Sequence, residues 1–166
     1  MEQTIYILVV EDEPEVLDAI VLDLEMFEKK FPIEMASSAE EAREIINEVL
    51  EAGDRFGLFL CDHVLPEENG VDLMIDLQIK EATADARKVL ITGQAGLNET
   101  VKAVNSAGLN HYIAKPWDEQ ELQDVVRHQL TEYVIDKVDN MLPYMDILET
   151  DRLAEAIRSG KGITDH

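Results

Sequence analysis

Cysteine is almost absent: Cys61 is the single one. No disulfide can form within the chain, and a reducing, cytoplasmic setting fits such usage. Cys61 sits in an apolar run, so a buried, inert thiol is expected. No apolar run approaches the roughly 20 residues that span a bilayer. The N-terminus lacks the basic segment, apolar stretch and small-residue cleavage site of an export signal. Positive charge is scarce, with 14 Lys and Arg against 36 Asp and Glu and a formal net charge of −22. Such a surface repels phosphate backbones and anionic headgroups, so direct nucleic-acid or membrane binding is not expected. The acidic surplus is spread along the chain, as on solvated helix faces; a cationic partner is the sharper alternative. No internal repeat or low-complexity segment occurs.

What is present is an alternation. The 166 residues suit one domain with a short appendage. Five short apolar runs read as strands: Thr4 to Val10, Ile33 to Ala36, Leu58 to Cys61, Lys88 to Ile91 and His111 to Ala114. Apolar residues without alternation imply strands buried on both faces, hence a parallel sheet covered by helices. Helical patterns lie between them. Pro14 opens the first, with Val16, Leu17, Ile20, Leu24 and Phe27 at helical spacing. Ser38 and Glu41 form a capping box for the second. Gly70 precedes the third, a fourth is predicted over 98–107 before Gly108, and Asp118 caps the fifth with Glu121 at N3. Five βα units in succession predict an α/β fold with a doubly wound parallel sheet and helices on both faces.

In such sheets the working site lies at the carboxyl ends of the strands. Glu11, Asp12 and Glu13 follow the first strand, Asp62 the third, Thr92 the fourth, and Lys115 with Pro116 the fifth. Taken singly, each has an ordinary reading as a loop acid, turn residue, cap or surface lysine. Together they would gather carboxylates, a hydroxyl and an ammonium at one edge. Clustered carboxylates suit a hard divalent cation such as Mg²⁺. A carboxylate beside such an ion stays ionised and can attack phosphorus, with the ion and the lysine neutralising charge on the phosphoryl oxygens.

Over residues 4–130 the chain resembles the response-regulator receiver family. The resemblance rests on ILVVEDEP (Ile7 to Pro14), LFLCDHVLPEENGVDLM (Leu58 to Met74), VLITGQ (Val89 to Gln94) and GLNHYIAKPW (Gly108 to Trp117). It implies the flavodoxin-like strand order 2-1-3-4-5 and a phospho-acceptor at Asp62. It also implies Mg²⁺ bound by Asp12, Asp62 and the Val64 backbone carbonyl, with Glu11 acting mainly through water. Thr92 matches the switch hydroxyl, Lys115 the lysine of the motif, and Tyr112 the aromatic that turns when the hydroxyl is drawn to the phosphate. Pro66 and Gly70 match the loop after the acceptor. Pro116 follows a peptide bond that is commonly cis in the family. Val64 and Gln94 occupy positions that tune phosphoryl lifetime; the aliphatic Val64 cannot hydrogen-bond an attacking water, so slow self-dephosphorylation is expected. Glu11 replaces the commoner Asp, and Gly93 a usual alanine.

The implied partner is a sensor histidine kinase or phosphotransfer protein. The implied role is a phospho-accepting signalling domain, not an enzyme on external substrates, that assists its own phosphorylation and dephosphorylation. A stand-alone phosphate shuttle in a phosphorelay is the alternative. An aspartyl-phosphate hydrolase would need a second carboxylate where Val64 stands. A flavodoxin-like cofactor binder would not place Glu11-Asp12-Glu13 in its phosphate loop.

The expected division is a receiver domain over 1–130 and a helical extension or linker over 131–166. Val134, Val138, Met141, Met145 and Leu148 make a short heptad-like seam, and Pro143 predicts a break near Leu142. Three roles stay open for the extension: packing on its own domain, a dimerisation arm, or a linker to a missing output domain. A homodimer through the predicted fourth helix, fifth strand and fifth helix is a further expectation. The extension is too short and too poor in basic residues for a helix-turn-helix DNA reader.

Overall fold

The computed structural model describes residues 3–93 and 105–160. Strands β1 (Ile5–Val10), β2 (Ile33–Ala36), β3 (Arg55–Asp62), β4 (Arg87–Thr92) and β5 (His111–Ala114) form one sheet in the order β2-β1-β3-β4-β5. Every neighbouring pair is parallel. The order and direction agree with the doubly wound, flavodoxin-like expectation. β3 starts at Arg55 rather than Leu58, because Arg55 and Phe56 pair with Ile5 and Tyr6.

Helices α1 (Pro14–Asp23), α2 (Ala39–Glu51), α3 (Gly70–Ile79), α4 (Glu81–Ala84), α5 (Glu119–Lys137) and α6 (Thr150–Arg158) follow in chain order. Asp118 caps α5 through the Glu121 N–H at 3.2 Å. The Ser38 hydroxyl accepts from the Glu41 N–H at 3.1 Å. The return contact differs from a standard capping box: the Glu41 carboxylate takes the Ser37 N–H at 2.7 Å, not that of Ser38. The helix predicted over 98–107 lies largely outside the described residues. Its end is seen at Asn105 and Ser106, and Gly108 follows at φ +67°, a left-handed conformation that favours glycine.

The short α4 was not expected. Its carbonyl end is satisfied by Lys88, a fully buried residue of β4. The ammonium donates to the carbonyls of Thr83, Ala84 and Ala86 at 3.2, 3.2 and 2.9 Å, which answers the orphan acceptors of a helix C-terminus.

The sheet separates two cores, and successive β1 side chains alternate between them. Ile5, Ile7 and Val9 join Leu58, Leu60, Val89, Ile91 and Ile113 with Ile20 of α1, Leu24 just past its end and Leu122 of α5. Leu8 and Val10 join Phe59, Cys61 and Leu90 under Ala42, Ile46, Val71 and Met74 from α2 and α3.

The expected boundary at Leu130 is not a break in the structure. α5 continues to Lys137, and Val134, Met141, Leu148 and Leu153 lie in the same buried cluster as the sheet. A 3₁₀ turn at Leu142–Tyr144 follows, with Pro143 in its first turn, where proline costs no hydrogen bond. Tyr144 stacks on Phe31 with centroids 5.3 Å apart. Arg127 Nε donates to the Ile147 carbonyl at 3.3 Å, and the Thr131 hydroxyl accepts from the Glu149 N–H at 3.1 Å. The heptad-like seam is therefore spent on the chain's own core. Val134, Met141 and Leu148 are at most 4% exposed, and the partly buried Val138 and Met145 pack against the same cluster.

Candidate functional site

Strand register assembles the site. Val10 pairs with Cys61, Asp62 with Ile91, and Thr92 with Ala114. Glu11, Asp62, Thr92 and Lys115 therefore stand within one step of each other at the carboxyl edge. Ladder-like hydrogen bonds extend past the strand ends: Glu11 N–H to the Ala36 carbonyl at 3.0 Å, His63 N–H to that of Ile91 at 2.9 Å, and Lys115 N–H to that of Thr92 at 2.8 Å. The backbone is thus fixed where the functional side chains emerge.

Glu11 is fully buried and Asp62 is 7% exposed. Lys115 Nζ lies 2.8 Å from Glu11 Oε1 and 3.3 Å from Asp62 Oδ2. Burial works against the Lys115 ammonium, but the hydrogen bond to Glu11 and the charge of Asp62 outweigh it, and its pKa is raised. The second Glu11 oxygen accepts from the Glu13 N–H at 3.1 Å. Oxygens of Glu11, Asp12 and Asp62 all lie within 4.8 Å of one another. Among these groups one ammonium faces three carboxylates, which leaves an excess of two negative charges in a largely dehydrated corner. A divalent cation matches that excess, and an all-oxygen donor set matches Mg²⁺. The residues present therefore fit the ion that the sequence implied.

The loop after Asp62 is held from several sides. Gly70 packs so tightly that a Cβ there would come 2.0 Å from the Asp62 carbonyl oxygen. Its N–H donates to the His63 carbonyl at 2.8 Å, and Val64 pairs with Asn69 in an antiparallel bridge. Arg43 of α2 grips Glu68 through both guanidinium nitrogens at 2.8 and 2.5 Å and reaches Asp76 of α3 at 2.6 Å. Pro66 is exposed in this loop, and the Val64 side chain is 69% exposed. Cys61 is buried; burial and then the nearby Asp62 charge push its thiol up, so it stays protonated.

The other expected residues are placed as follows. Thr92 is 3% exposed and Tyr112 is 49% exposed. The Lys115–Pro116 peptide bond is cis. Gln94 lies outside the described residues. Three residues without an assigned role also stand at this edge. His63 is buried beside Thr92, with Nδ1 3.3 Å from the Thr92 hydroxyl. Asn69 caps α3 by accepting from the Val71 N–H at 2.7 Å. Trp117 Nε1 donates to Asp23 Oδ2 at 2.8 Å, tying the segment after Lys115 to α1. The Asn69 cap was readable from an Asn before a helix; the His63 and Trp117 contacts join distant segments and had no local signal.

A family model, the response regulator receiver domain, matches residues 7–127. The chain belongs to the receiver family of two-component response regulators. The hydrogenase transcriptional regulatory protein HoxA of Cupriavidus necator is 31% identical over 121 residues, covering 73% of this chain and 23% of HoxA. The chain spans about a quarter of that protein's length. The chemotaxis protein CheY1 of Helicobacter pylori is 31% identical over 77 residues, 46% of this chain and 61% of CheY1. Among solved structures, a CheY-like receiver domain protein from Methanospirillum hungatei superposes with TM-score 0.69 at 28% identity, covering 81% of this chain and 99% of that one. The beryllofluoride-activated NtrC4 receiver domain dimer superposes with TM-score 0.65 at 25% identity, covering 77% and 98%. The receiver match ends inside α5, so the turns and α6 beyond it are an addition built onto the same core. Among the described residues of this receiver, no helix is long and apolar enough to cross a membrane.

Proposed function

We propose that this receiver accepts a phosphoryl group on Asp62 from the phosphohistidine of a sensor kinase or phosphotransfer protein, in a cytoplasmic setting, with Mg²⁺ as cofactor. One observation carries the reading: a nearly buried Asp62 shares a corner with Glu11 and Asp12, oxygens within 4.8 Å, and with Lys115 at 3.3 Å. An Asp62 oxygen attacks phosphorus, an O–P bond forms, the P–N bond breaks, and its electron pair stays on the imidazole nitrogen. Asp12, Asp62 and the Val64 carbonyl would hold the ion, with Glu11 behind them; when bound, the ion offsets charge on the phosphoryl oxygens. Lys115 neutralises the same charge from the Glu11 side. The Thr92 hydroxyl then donates to the acyl phosphate. Its movement lets the half-exposed Tyr112 turn, which reshapes the surface around β5 and α5 read by a partner or an output domain.

The domain is not an enzyme on external phosphoesters in this reading. An exposed aliphatic Val64 two residues after the acceptor cannot do acid–base work. Incubation with acetyl phosphate and Mg²⁺, followed by intact mass, tests the proposal. An acid-labile adduct is expected on the unsubstituted protein and none on Asp62→Asn. An adduct that persists in Asp62→Asn moves the acceptor elsewhere.

A further inference from the structure

We infer that Arg43 is a positioning residue for the acceptor site: its grip on Glu68 holds the loop after Asp62 in the shape that receives Mg²⁺. The inference rests on Asp62 being the acceptor and on Mg²⁺ being the ion beside it. Arg43 lies on α2, next to the buried Ala42 and one turn from the buried Ile46, which seat this helix on the sheet. Its Nη1 donates to Glu68 Oε1 at 2.8 Å and its Nη2 to Glu68 Oε2 at 2.5 Å. A fork of two parallel hydrogen bonds fixes the direction of the carboxylate as well as its distance, which a lysine would not do. The two side chains are 30% and 28% exposed, so water screens the pair only in part. The same Nη2 reaches Asp76 Oδ2 on α3 at 2.6 Å.

The grip reaches the site through the backbone. Glu68 is followed by Asn69, which pairs with Val64 in the antiparallel bridge, and the Gly70 N–H donates to the His63 carbonyl at 2.8 Å. The loop is therefore a short hairpin. One arm leaves Asp62 and carries Val64, whose carbonyl is the implied third ligand; Leu65 ties that arm into the core. The tip at Pro66 and Glu67 is exposed. The returning arm is bolted to α2 by Glu68. A ligand loop that is ordered before the ion arrives does not charge its ordering to the binding step.

Charge and position act in opposite directions here. Burial first, then Asp62, Glu11 and Glu68, push the Cys61 thiol up, so the Glu68 charge is felt on the acceptor strand. Removing the Arg43 charge alone would make this edge more negative and draw Mg²⁺ in more tightly. Losing the grip would let the hairpin loosen and weaken binding. Changing Arg43 and Glu68 together cancels the charge difference and leaves only the loss of position.

The test is a Mg²⁺ titration of the full chain carrying Arg43→Met with Glu68→Gln, followed by the amide resonances of residues 62–70. Mg²⁺ affinity is expected to fall about two- to fivefold, what a two-point ion pair at partial exposure supplies. Hydrogen exchange of the Gly70 amide, measured without Mg²⁺, is expected to quicken relative to the amides of β1 and β3; a general loss of stability would quicken them together. Asp76→Asn, which touches only the arm to α3, is expected to leave both readings as they are. Unchanged or tighter Mg²⁺ binding in the double variant overturns the inference, as does weaker binding with Gly70 exchange unchanged. An equal effect from Asp76→Asn also overturns it, since Arg43 would then act by joining α2 to α3. Should the double variant fail to fold, Arg43→Lys decides, because it keeps the charge and loses the fork. Weaker Mg²⁺ binding with faster Gly70 exchange supports the positioning role, and any other result sinks it. An unsubstituted protein that bound no Mg²⁺ at all would instead remove the metal reading, and the role of Arg43 with it.

Discussion

The Lys115 ammonium lies 2.8 Å from Glu11 Oε1, on a carboxylate that solvent does not reach. The two residues come from opposite ends of the receiver sequence, and they meet because β1 and β5 end at the same edge of one parallel sheet. Lys115→Met removes the ammonium and keeps most of the stem. Phosphorylation by acetyl phosphate is expected to slow by about 10²-fold or more, the usual loss when a charge-stabilising donor is removed. Mg²⁺ should bind at least as tightly as before, because the uncompensated negative charge rises. A titration of Trp117 fluorescence with Mg²⁺, set beside the phosphorylation rate, separates the two effects.

Gly70 has no room for a side chain: a Cβ would sit 2.0 Å from the Asp62 carbonyl oxygen. Gly70→Ala must push the start of α3 away from the acceptor strand. A loss of about 1–3 kcal/mol in urea unfolding is expected, together with slower acceptance of phosphate, since the same shift displaces Asp62. A variant with normal stability and normal acceptance would show that the loop tolerates the shift.

Lys88 gives the stability a pH dependence. Burial pushes its ammonium down to about 8 against an ordinary 10.5, with Asp85 opposing. Below pH 8 the proton is held in folded and unfolded chains alike, and the folded chain carries the full penalty. Between 8 and 10.5 the unfolded chain binds the proton more strongly, so this contribution to stability rises with pH. Over that interval the unsubstituted protein should gain on the order of 2 kcal/mol relative to Lys88→Met. Urea midpoints for both proteins at several pH values check the slope; parallel curves would exclude it.

Between the end of the receiver match and residue 160 the chain packs into the main core. Leu148 and Leu153 are 4% and 0% exposed within the main core. Leu148→Ala and Leu153→Ala should each cost about 2–5 kcal/mol in one cooperative transition. Truncation after Leu130 would remove Tyr133, Val134, Met141, Leu148 and Leu153 from the cluster they share with Ile5, Phe27 and Phe31, and the shortened chain is expected to unfold at markedly lower urea or to aggregate. If it proved as stable as the full chain, α6 would be dispensable to folding.

Val64 presents an aliphatic side chain, 69% exposed, two residues from the acceptor. Val64→Asn adds a group able to hold a water near phosphorus. Phosphoryl loss from Asp62 should be faster in that variant, as read by the decay of the adduct after the phosphodonor is removed.

The sequence alone determined the α/β class, the parallel sheet and the strand ends that carry Glu11, Asp12, Asp62, Thr92 and Lys115. Unbroken apolar runs and well-placed caps are local signals, and they survive without coordinates. The longer β3, the shifted capping box at Ser37, and α4 with its Lys88 cap were decided by contacts between segments. So was the fate of the extension: a stripe at heptad spacing looks the same whether it meets a second chain or its own core. Only the tertiary structure puts Met141, Leu148 and Leu153 under the sheet and α1, and only it brings His63 against Thr92. Periodicity records which face of an element is apolar, whereas the choice of neighbour depends on the packing of the whole chain.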